Sequence, residues 1–203
     1  MPRAESVTTT RLPAEQRRRQ LLDVSCDVFA AGGFHATSMD DVAAGAGVTK
    51  PVLYQHFSSK RALFLELLED VGQQLLTELA IATRGATTGR ERVEAGFAAY
   101  FRFVTNNRAA FRVLFGASAR NDAEFSTVVR GVLDAVCEAI ALLIDINAPD
   151  AQRRVLAHAL VGIAEATSRD ALTVPDSQDA AELARWVSEL AWFGLRGIRI
   201  QTN

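Results

Sequence analysis

The residues of this chain best suited to chemistry lie between residues 38 and 60. The chain has two lysines, Lys50 and Lys60, and both fall in this stretch, whereas the other twenty basic residues are arginines. Ammonium, hydroxyl and imidazole groups of the kind gathered here contact phosphates and base edges of DNA. The alternative is that the gene favours arginine codons and that the two lysines remain in this stretch by chance. The lysines alone are therefore weak evidence for DNA binding.

Local signals place these side chains on short helices. Ser38, followed three residues later by Asp41, forms a capping-box pattern and predicts a helix over residues 39 to about 44. The glycines of residues 45–47 then predict a tight turn of the kind that joins two helices of a helix-turn-helix unit.

The next helix is expected to separate an apolar side from a polar one. It should run from residue 50 to about 57, with Thr49 as its N-cap and Pro51 tolerated in its first turn. The polar side carries Thr49, Lys50, Tyr54, Gln55 and His56. Because the first residues of a recognition helix reach base edges, we predict that Thr49 and Lys50 read bases and that Pro51 contacts a thymine methyl group.

A further helix should begin after Ser58, its expected N-cap. Lys60 falls in the first turn of that helix, where an ammonium group and free backbone N–H groups suit a phosphate. For Tyr54, His56 and Lys60 the alternative is an ordinary solvated face.

This segment strongly resembles the TetR family of bacterial transcriptional repressors. The similarity is carried by residues 38–43, 46–48 and 51–60, and it extends upstream through residues 18–22 and 29–34. The resemblance implies base reading at the positions of Thr49 and Lys50 and phosphate contacts at those of Tyr54, His56 and Lys60.

A preceding helix is expected over residues 13 to about 31. The resemblance places its first turns, with Arg17, Arg18 and Arg19, along the DNA backbone; a solvated basic turn is the alternative. The candidate DNA contacts are therefore Arg17, Arg18, Ser38, Thr49, Lys50, Pro51, Tyr54, His56 and Lys60.

Composition favours an all-α protein with two domains. The chain has 203 residues, 49% of them hydrophobic, which is enough for one small and one medium core. We expect a flexible arm over residues 1–12, a helix-turn-helix DNA-binding domain over 13–60, and a ligand-binding and dimerisation domain over 61–203. The arm is polar and threonine-rich, so neither a signal peptide nor a membrane span is expected.

The net charge of −2 does not argue against DNA binding, because affinity depends on the local field. Residues 1–60 carry seven basic and six acidic side chains, and residues 61–203 carry fifteen and eighteen. Binding should therefore depend on a few well-placed contacts in a dimer.

Residues 70–203 predict several helices, with breaks at 84–89, 106–107, 116–122, 147–150 and 173–179. Six of the eleven phenylalanines lie between residues 95 and 125. They form either an aromatic core or the wall of a ligand cavity, since such cavities are mostly apolar. The candidate lining residues are Phe97, Tyr100, Phe101, Phe111, Leu114 and Phe115.

The effector should be lipophilic, because few charges interrupt the apolar faces of residues 128–146 and 155–163. Within the family, residues 11–13, 20–22, 50–60, 160–162 and 191–195 look most like the actinobacterial regulators of fatty-acid synthesis. That resemblance implies a long-chain acyl-CoA as the effector, and ligand binding that reorients the helix over residues 58–83.

The last two long helices, residues 150–172 and 179–200, are the expected dimer surface of a protein that binds a palindromic operator. Small and apolar rows favour this: Ala157, Val161, Ala164 and Ser168 on the first helix, and Leu183, Val187, Leu190, Gly194 and Ile198 on the second. Internal packing is the alternative.

Other chemistry has little support. Cys26 and Cys137 are single thiols that suit a reducing cytoplasm, and the three histidines lack the companions of a metal site. We expect no catalytic residues, metal or cofactor; residues 116–120 lack the second glycine of a hydrolase nucleophile elbow.

The sequence thus predicts a cytoplasmic, homodimeric regulator, which we expect to be a repressor. The alternatives are an enzyme acting on a lipophilic substrate in the C-terminal cavity, and a helical adaptor that binds only protein.

Overall fold

A computed structural model describes residues 13–144, 146–173 and 179–197, and this part of the chain contains helices and no strands. The predicted all-α class is confirmed, whereas the expected arm over residues 1–12 lies outside the described residues. The helices are α1 (Ala14–Ala36), α2 (Met39–Gly45), α3 (Lys50–His56), α4 (Lys60–Thr83), α5 (Gly89–Asn106), α6 (Arg108–Phe115), α7 (Ala117–Asn121), α8 (Ala123–Leu143), α9 (Asp150–Thr173) and α10 (Ala180–Gly197).

Helices α1 to α3 form a small unit, here called the head. Its core has fully buried side chains from each helix: Leu21 on α1, Val42 on α2 and Leu53 on α3. A side chain of this size contributes about 1.5–3 kcal/mol when it leaves water. This burial holds α3, which at seven residues is too short to be stable alone.

The helix caps agree with the sequence at α2 and differ at the next two helices. Ser38 and Asp41 form the predicted capping box, and the bonds from Ser38 lower the pKa of the Asp41 carboxyl. Thr49 stands at the N-cap of α3, but its hydroxyl makes no capping bond. The cap of α4 is Ser59, not the predicted Ser58: its hydroxyl accepts from Ala62 N at 3.0 Å.

Helix α1 is longer than the sequence predicted. It was expected to end near residue 31, yet it reaches Ala36, with a break at Gly33 where φ is +73°. That φ lies in the left-handed region that glycine adopts without strain. The break turns Phe34 inward, where it is 8% exposed.

Phe34 belongs to an aromatic cluster, here called the junction, which joins α1 to α4 and α8. The ring of Phe34 lies 5.1 Å from that of Phe64 and 4.8 Å from that of Phe125, and Phe29 lies 5.0 Å from Phe64. Edge and tilted contacts of this kind contribute about 0.5–1.5 kcal/mol each beyond area burial. The junction therefore fixes the head on the remaining helices.

Helices α5 to α10 form the body, and α4 belongs to both parts of the molecule. Helix α4 packs against α1 at its start and against α5 and α8 further on, while α10 lies along α5. The sequence predicted a break over residues 116–122, but this segment contains the short helix α7. A helix of five residues is too short to show a periodic pattern of apolar residues in the sequence. None of the described helices is long and apolar enough to cross a bilayer.

Helices α4 and α8 make their closest approach at Gly72. A Cβ atom added to Gly72 would lie 2.4 Å and 2.6 Å from the two methyl carbons of Val132. Real side chains do not tolerate such distances, so the absence of a side chain at residue 72 sets the spacing of the two helices.

We predict that Gly72→Ala lowers the free energy of unfolding by about 1–3 kcal/mol, because the new methyl group forces α4 away from α8. Urea unfolding followed by circular dichroism measures the change. Gly131→Ala on α8 is the control: nothing lies within 4 Å of its added Cβ, and the gain in helix propensity should stabilise the protein slightly. Equal effects of the two substitutions would contradict the close approach.

Candidate nucleic-acid interface and internal cavity

Helix α3 presents a polar face to solvent. Thr49, Lys50, Pro51 and Gln55 are exposed, and Tyr54 is 45% exposed. The opposite side packs into the head through Leu53, which is fully buried. The sequence therefore predicted correctly which side of α3 faces outward.

Thr49 and Lys50 are available to a partner at the start of α3. The Thr49 hydroxyl has no capping role, and Lys50 Nζ donates to Asp40 Oδ2 at 2.8 Å. That hydrogen bond raises the pKa of Lys50, so the ammonium stays charged. Because water screens an exposed ion pair, Lys50 can leave Asp40 for another acceptor at little cost.

Ser38 has a structural task in addition to any contact with DNA. Its hydroxyl donates to Asp41 Oδ2 at 2.7 Å and accepts from Asp41 N at 3.2 Å. The half-buried His56 lies at the end of α3, and its backbone carbonyl accepts from Arg18 Nη1 at 2.6 Å. Ser38 thus orients the start of α2, while Arg18 fixes the end of α3.

Lys60 does not project outward as the sequence predicted. Its ammonium donates to the carbonyls of Phe34 and Thr37 at 2.8 Å each and to that of His35 at 3.4 Å. It also lies 4.5 Å from the centre of the Phe34 ring. A lysine with three donors thus satisfies carbonyls where α1 ends, while the phosphate contact of Lys60 stays a prediction.

The arginines of α1 also differ from the expectation of a free basic turn. Arg18 pairs with Glu66 on α4 and lies 4.5 Å from the Phe57 ring, so it connects α1 with α3 and α4. Arg17 instead donates to the neutral side chain of Gln20 at 2.6 Å. Arg17 therefore keeps an uncompensated positive charge, whereas Arg18 is largely committed to the fold.

A cavity of about 650 Å³ lies in the body among α4, α5, α8, α9 and α10. Its volume falls within the range of about 300–1,000 Å³ that small-molecule sites occupy. The wall is largely aliphatic and aromatic, and it includes Leu75, Leu79, Val93, Phe97, Tyr100, Phe115, Leu133, Val136, Ile140, Leu160 and Trp192.

Three of the six predicted lining residues border this cavity: Phe97, Tyr100 and Phe115. Phe101, Phe111 and Leu114 do not, and that expectation is corrected. Phe101 and Leu114 are each 1% exposed and Phe111 is 6% exposed, all within the continuous core. Phe101 lies one turn after Phe97 on the same side of α5, but the packing of the neighbouring helices encloses it in the core.

Three arginines are among the residues that line the cavity, and they are here called the rim. They are the exposed Arg84, which follows α4, the exposed Arg196 near the end of α10, and the half-buried Arg92 of α5. The Arg196 guanidinium lies 5.8 Å from the centre of the Trp192 ring. An apolar interior with a positive rim suits an amphipathic anion.

The described residues include no group of three or more His, Cys, Asp or Glu side chains arranged to hold a metal ion. Burial raises the pKa of the Cys26 thiol to about 12, and the nearby Asp27 adds to the effect. The thiol is therefore protonated at neutral pH and is a poor nucleophile.

An exposed apolar stripe runs along α10. Trp186, Leu190 and Phe193 are 43%, 64% and 65% exposed and recur at helical spacing. The rows predicted to form the dimer surface are partly wrong, because Ala157, Ala164, Ser168, Leu183 and Val187 are buried inside the protomer, and Ile198 lies outside the described residues. Leu190 and Gly194 are exposed as expected.

The head and the body together define a class of protein: a helix-turn-helix DNA-binding unit joined by one helix to a helical domain that contains a cavity. The sequence model described as "Bacterial regulatory proteins, tetR family" matches residues 21–67. The model described as "Tetracyclin repressor-like, C-terminal domain" matches residues 89–194.

Curated relatives agree with these matches. The chain is 34% identical over 187 residues to the HTH-type transcriptional activator FasR of Mycolicibacterium smegmatis, which covers 91% of this chain and 85% of the relative. It is 32% identical over 93 residues, 46% of each chain, to the HTH-type transcriptional repressor KstR2 of Mycobacterium tuberculosis.

Solved structures have the same fold. A TetR-like transcriptional regulator from Rhodococcus sp. RHA1 has a TM-score of 0.75 at 31% identity, over 93% of this chain and 100% of that one. FadR of Bacillus subtilis in complex with stearoyl-CoA has a TM-score of 0.76 at 17% identity, over 89% and 99% of the chains, and shows the fold alone. The chain belongs to the TetR family of bacterial transcriptional regulators, and it is therefore a DNA-binding regulator and not an enzyme.

We predict that Lys60→Met lowers the free energy of unfolding by about 1–3 kcal/mol, since three carbonyls lose a charged donor. Chemical denaturation measures this. The control is Lys50→Met, which removes an exposed lysine whose ion pair contributes little and should change stability by less than about 0.5 kcal/mol. A Lys60→Met protein as stable as the wild type would show that the carbonyls need no cation.

Proposed function

We propose that this protein is a homodimeric regulator, in the first instance a repressor, that binds a palindromic operator and responds to a lipophilic effector such as a fatty acyl-CoA. The observation that carries the proposal is the exposed polar face of α3. The head holds this face in place, and α4, which packs against the head, also lines an apolar cavity. We assign DNA binding to residues 13–60 and ligand binding and dimerisation to residues 61–203, in a protein that acts in the cytoplasm.

The proposed DNA contacts divide by their surroundings. Thr49, Lys50 and Pro51 begin α3 and are exposed, which suits base readout in the major groove. Tyr54 is 45% exposed, and its hydroxyl suits a phosphate oxygen. His56 and Arg17 are half-buried at the edges of this face and are assigned to the phosphate backbone.

Ser38, Arg18 and Lys60 are assigned to shaping this surface. Each already makes hydrogen bonds within the head, and these bonds fix the ends of α1, α2 and α3. Their loss should weaken DNA binding through a change of shape, because the helix that reads the groove would no longer be held in place.

The proposed dimer uses the outer faces of α9 and α10. On α10 the exposed stripe is large and apolar, whereas on α9 the exposed positions Ala159, Gly162 and Ala166 are small. Large side chains against small ones allow close approach of two helix pairs, and a twofold axis matches the symmetry of a palindromic site. The two reading helices would then lie about 34–36 Å apart.

The cavity supports an acyl-CoA as effector. A wall of leucine, isoleucine, valine and phenylalanine accommodates an alkyl chain, and Arg84 and Arg196 at the rim provide donors for phosphate groups. FadR of Bacillus subtilis, which has the same fold, has been solved in complex with stearoyl-CoA.

Helix α4 is the proposed connection between effector and DNA. Its first turns pack in the head through Leu63 and Phe64, and its last turns line the cavity through Leu79 and Thr83. A ligand regulates DNA binding only if it has different affinities for two arrangements of this helix. Relatives that share the family are named both activator and repressor, so repression remains our prediction.

Selection of bound sequences from a randomised DNA library tests the DNA-binding role. The wild type should enrich an inverted repeat. We predict that Lys50→Ala loses discrimination at one base pair in each half-site, by about 1–3 kcal/mol, because one donor to a base edge is removed. Tyr54→Phe should weaken binding to all sequences alike.

Arg102→Ala, an exposed change on α5, is the control for this experiment and should leave both profile and affinity unchanged. An unchanged profile for Lys50→Ala would remove its base-reading role. If the wild type enriches no sequence even at low salt, the operator-binding proposal fails.

Palmitoyl-CoA, compared with coenzyme A alone, should change the affinity of the protein for the selected DNA by about fivefold or more.

We predict that Leu190→Arg converts the dimer to a monomer, because it places a charge in the apolar stripe of α10. Sedimentation velocity distinguishes a particle of 22.0 kDa from one of twice that mass. Ile81→Arg is the control, since Ile81 is also an exposed apolar residue, 59% exposed on α4, and is not among the residues that line the cavity. A wild-type protein that sediments as a monomer, or a Leu190→Arg protein that stays dimeric, would refute the assigned interface.

A further inference from the structure

Two hydroxyl groups in the body are buried without a hydrogen-bond partner. They belong to Tyr100 on α5, which is 8% exposed and lines the cavity, and to Ser168 on α9, which is 1% exposed. Among the described residues, no other buried side-chain nitrogen or oxygen lacks a partner. Because such groups are rare in folded proteins and cost free energy, this pair calls for an explanation.

The two hydroxyls cannot fully satisfy each other. Burial raises the pKa of Tyr100, whereas an interaction with the Ser168 hydroxyl lowers it. The two oxygens do not reach the geometry of a full hydrogen bond, so this contact is weak and the tyrosine stays a neutral O–H donor. Two hydroxyls carry two O–H donors, and a bond between them would use one of these. At least one donor therefore needs an acceptor from outside the pair.

Nearby charged groups do not provide this acceptor. The closest carboxylate by sequence and packing is Glu165, which lines the cavity one turn before Ser168. Its carboxylate accepts from the guanidinium of Arg169 and makes no hydrogen bond to either hydroxyl. The cavity, which Tyr100 lines and Ser168 does not, is a route by which an acceptor could reach the Tyr100 hydroxyl.

Tyr100 is separated along α5 from Arg92, the rim arginine on the same helix. Tyr100 is eight residues after Arg92 on α5, which corresponds to about 12 Å along the helix axis. Most residues that line the cavity around Tyr100 are apolar, such as Phe97, Phe115 and Ala164, and Glu165 is a charged exception. A hydrocarbon segment at this position would leave a donor unsatisfied, whereas an oxygen atom would accept it.

We propose that Tyr100, with Ser168 beside it, binds a carbonyl or hydroxyl oxygen of the effector, so that the effector carries an oxygen acceptor about 12 Å along α5 from its charged end. This inference rests on the proposed effector role of the same cavity. The oxygen has two chemical sources: the thioester carbonyl of an acyl-CoA whose phosphates lie at the rim, or an oxygen substituent on the chain of a fatty acid whose carboxylate lies there.

Two ligand pairs that each differ by one oxygen test the proposal by isothermal titration calorimetry. Palmitoyl-CoA and S-hexadecyl-CoA differ in the thioester carbonyl, and 10-hydroxystearate and stearate differ in a hydroxyl on the chain. In one pair, the ligand with the extra oxygen should bind the wild type about five- to tenfold more tightly, as expected for one buried hydrogen bond. The pair that shows this preference identifies the source of the oxygen.

Tyr100→Phe should abolish this preference, and Ser168→Ala should reduce it, while the affinity for the ligand without the oxygen stays unchanged. Phe97→Leu is the control, since it alters the same wall without touching a polar atom and should retain the ratio. Equal affinities within both pairs for the wild type, or a preference that survives in Tyr100→Phe, would overturn the proposal.

Thermal unfolding of the ligand-free protein distinguishes a failure of the polar subsite from a failure of the proposed acyl effector. Removal of an unpartnered buried hydroxyl in Tyr100→Phe should raise Tm by roughly 1–4 °C. If none of the four ligands binds the wild type and Tm still rises, the acyl effector is rejected and the polar subsite is kept. A lower Tm means that the hydroxyl is already satisfied, by Ser168 or by water, and overturns the subsite.

Discussion

The packing of Phe34 between Phe64 and Phe125 fixes how the head stands on the body. This contact exists because Gly33 breaks α1 and turns the next ring inward. The break leaves carbonyls without helical partners, and Lys60 satisfies them while it lies against the same ring. Arg61, the next residue, pairs with Asp122 at the start of α8 and lies 4.6 Å from the Phe125 ring. The adjacent cations of Lys60 and Arg61 thus both contact rings of the junction.

The basic side chains of the head therefore have two kinds of task. Arg18 and Lys60 bond to groups of the protein itself, which gives the short helices fixed ends. Lys50 is exposed and held by a single carboxylate that contributes little. A small head can leave only a few side chains for a partner, because its own helix ends already use most of the hydrogen-bonding groups nearby.

Local sequence signals predicted the parts of the fold that depend on neighbours in the chain. The capping box at Ser38 and the turn before Val48 placed α2 and α3 to within one residue. The direction of Lys60 was not predictable in this way, because its acceptors lie 23 to 26 residues away and are exposed only by the break at Gly33.

The cavity shows the same limit of sequence reasoning. Helical spacing marks both Tyr100 and Phe101 as apolar, but only the packing of the other helices decides which of them borders empty space. The outer rows of α9 and α10 could not be separated from the inner ones for the same reason: apolar periodicity gives a face and does not say what covers it.

The close approach of α4 and α8 at Gly72 has a mechanical consequence for the whole molecule. Helix α4 extends about 18 Å from this point to its start at the head and about 17 Å to its end beside the cavity. The contact at Gly72 therefore divides α4 into two nearly equal segments. A tilt of α4 about this contact would move Thr83 and Lys60 by similar distances in opposite directions, and it would have to shift the rings of the junction.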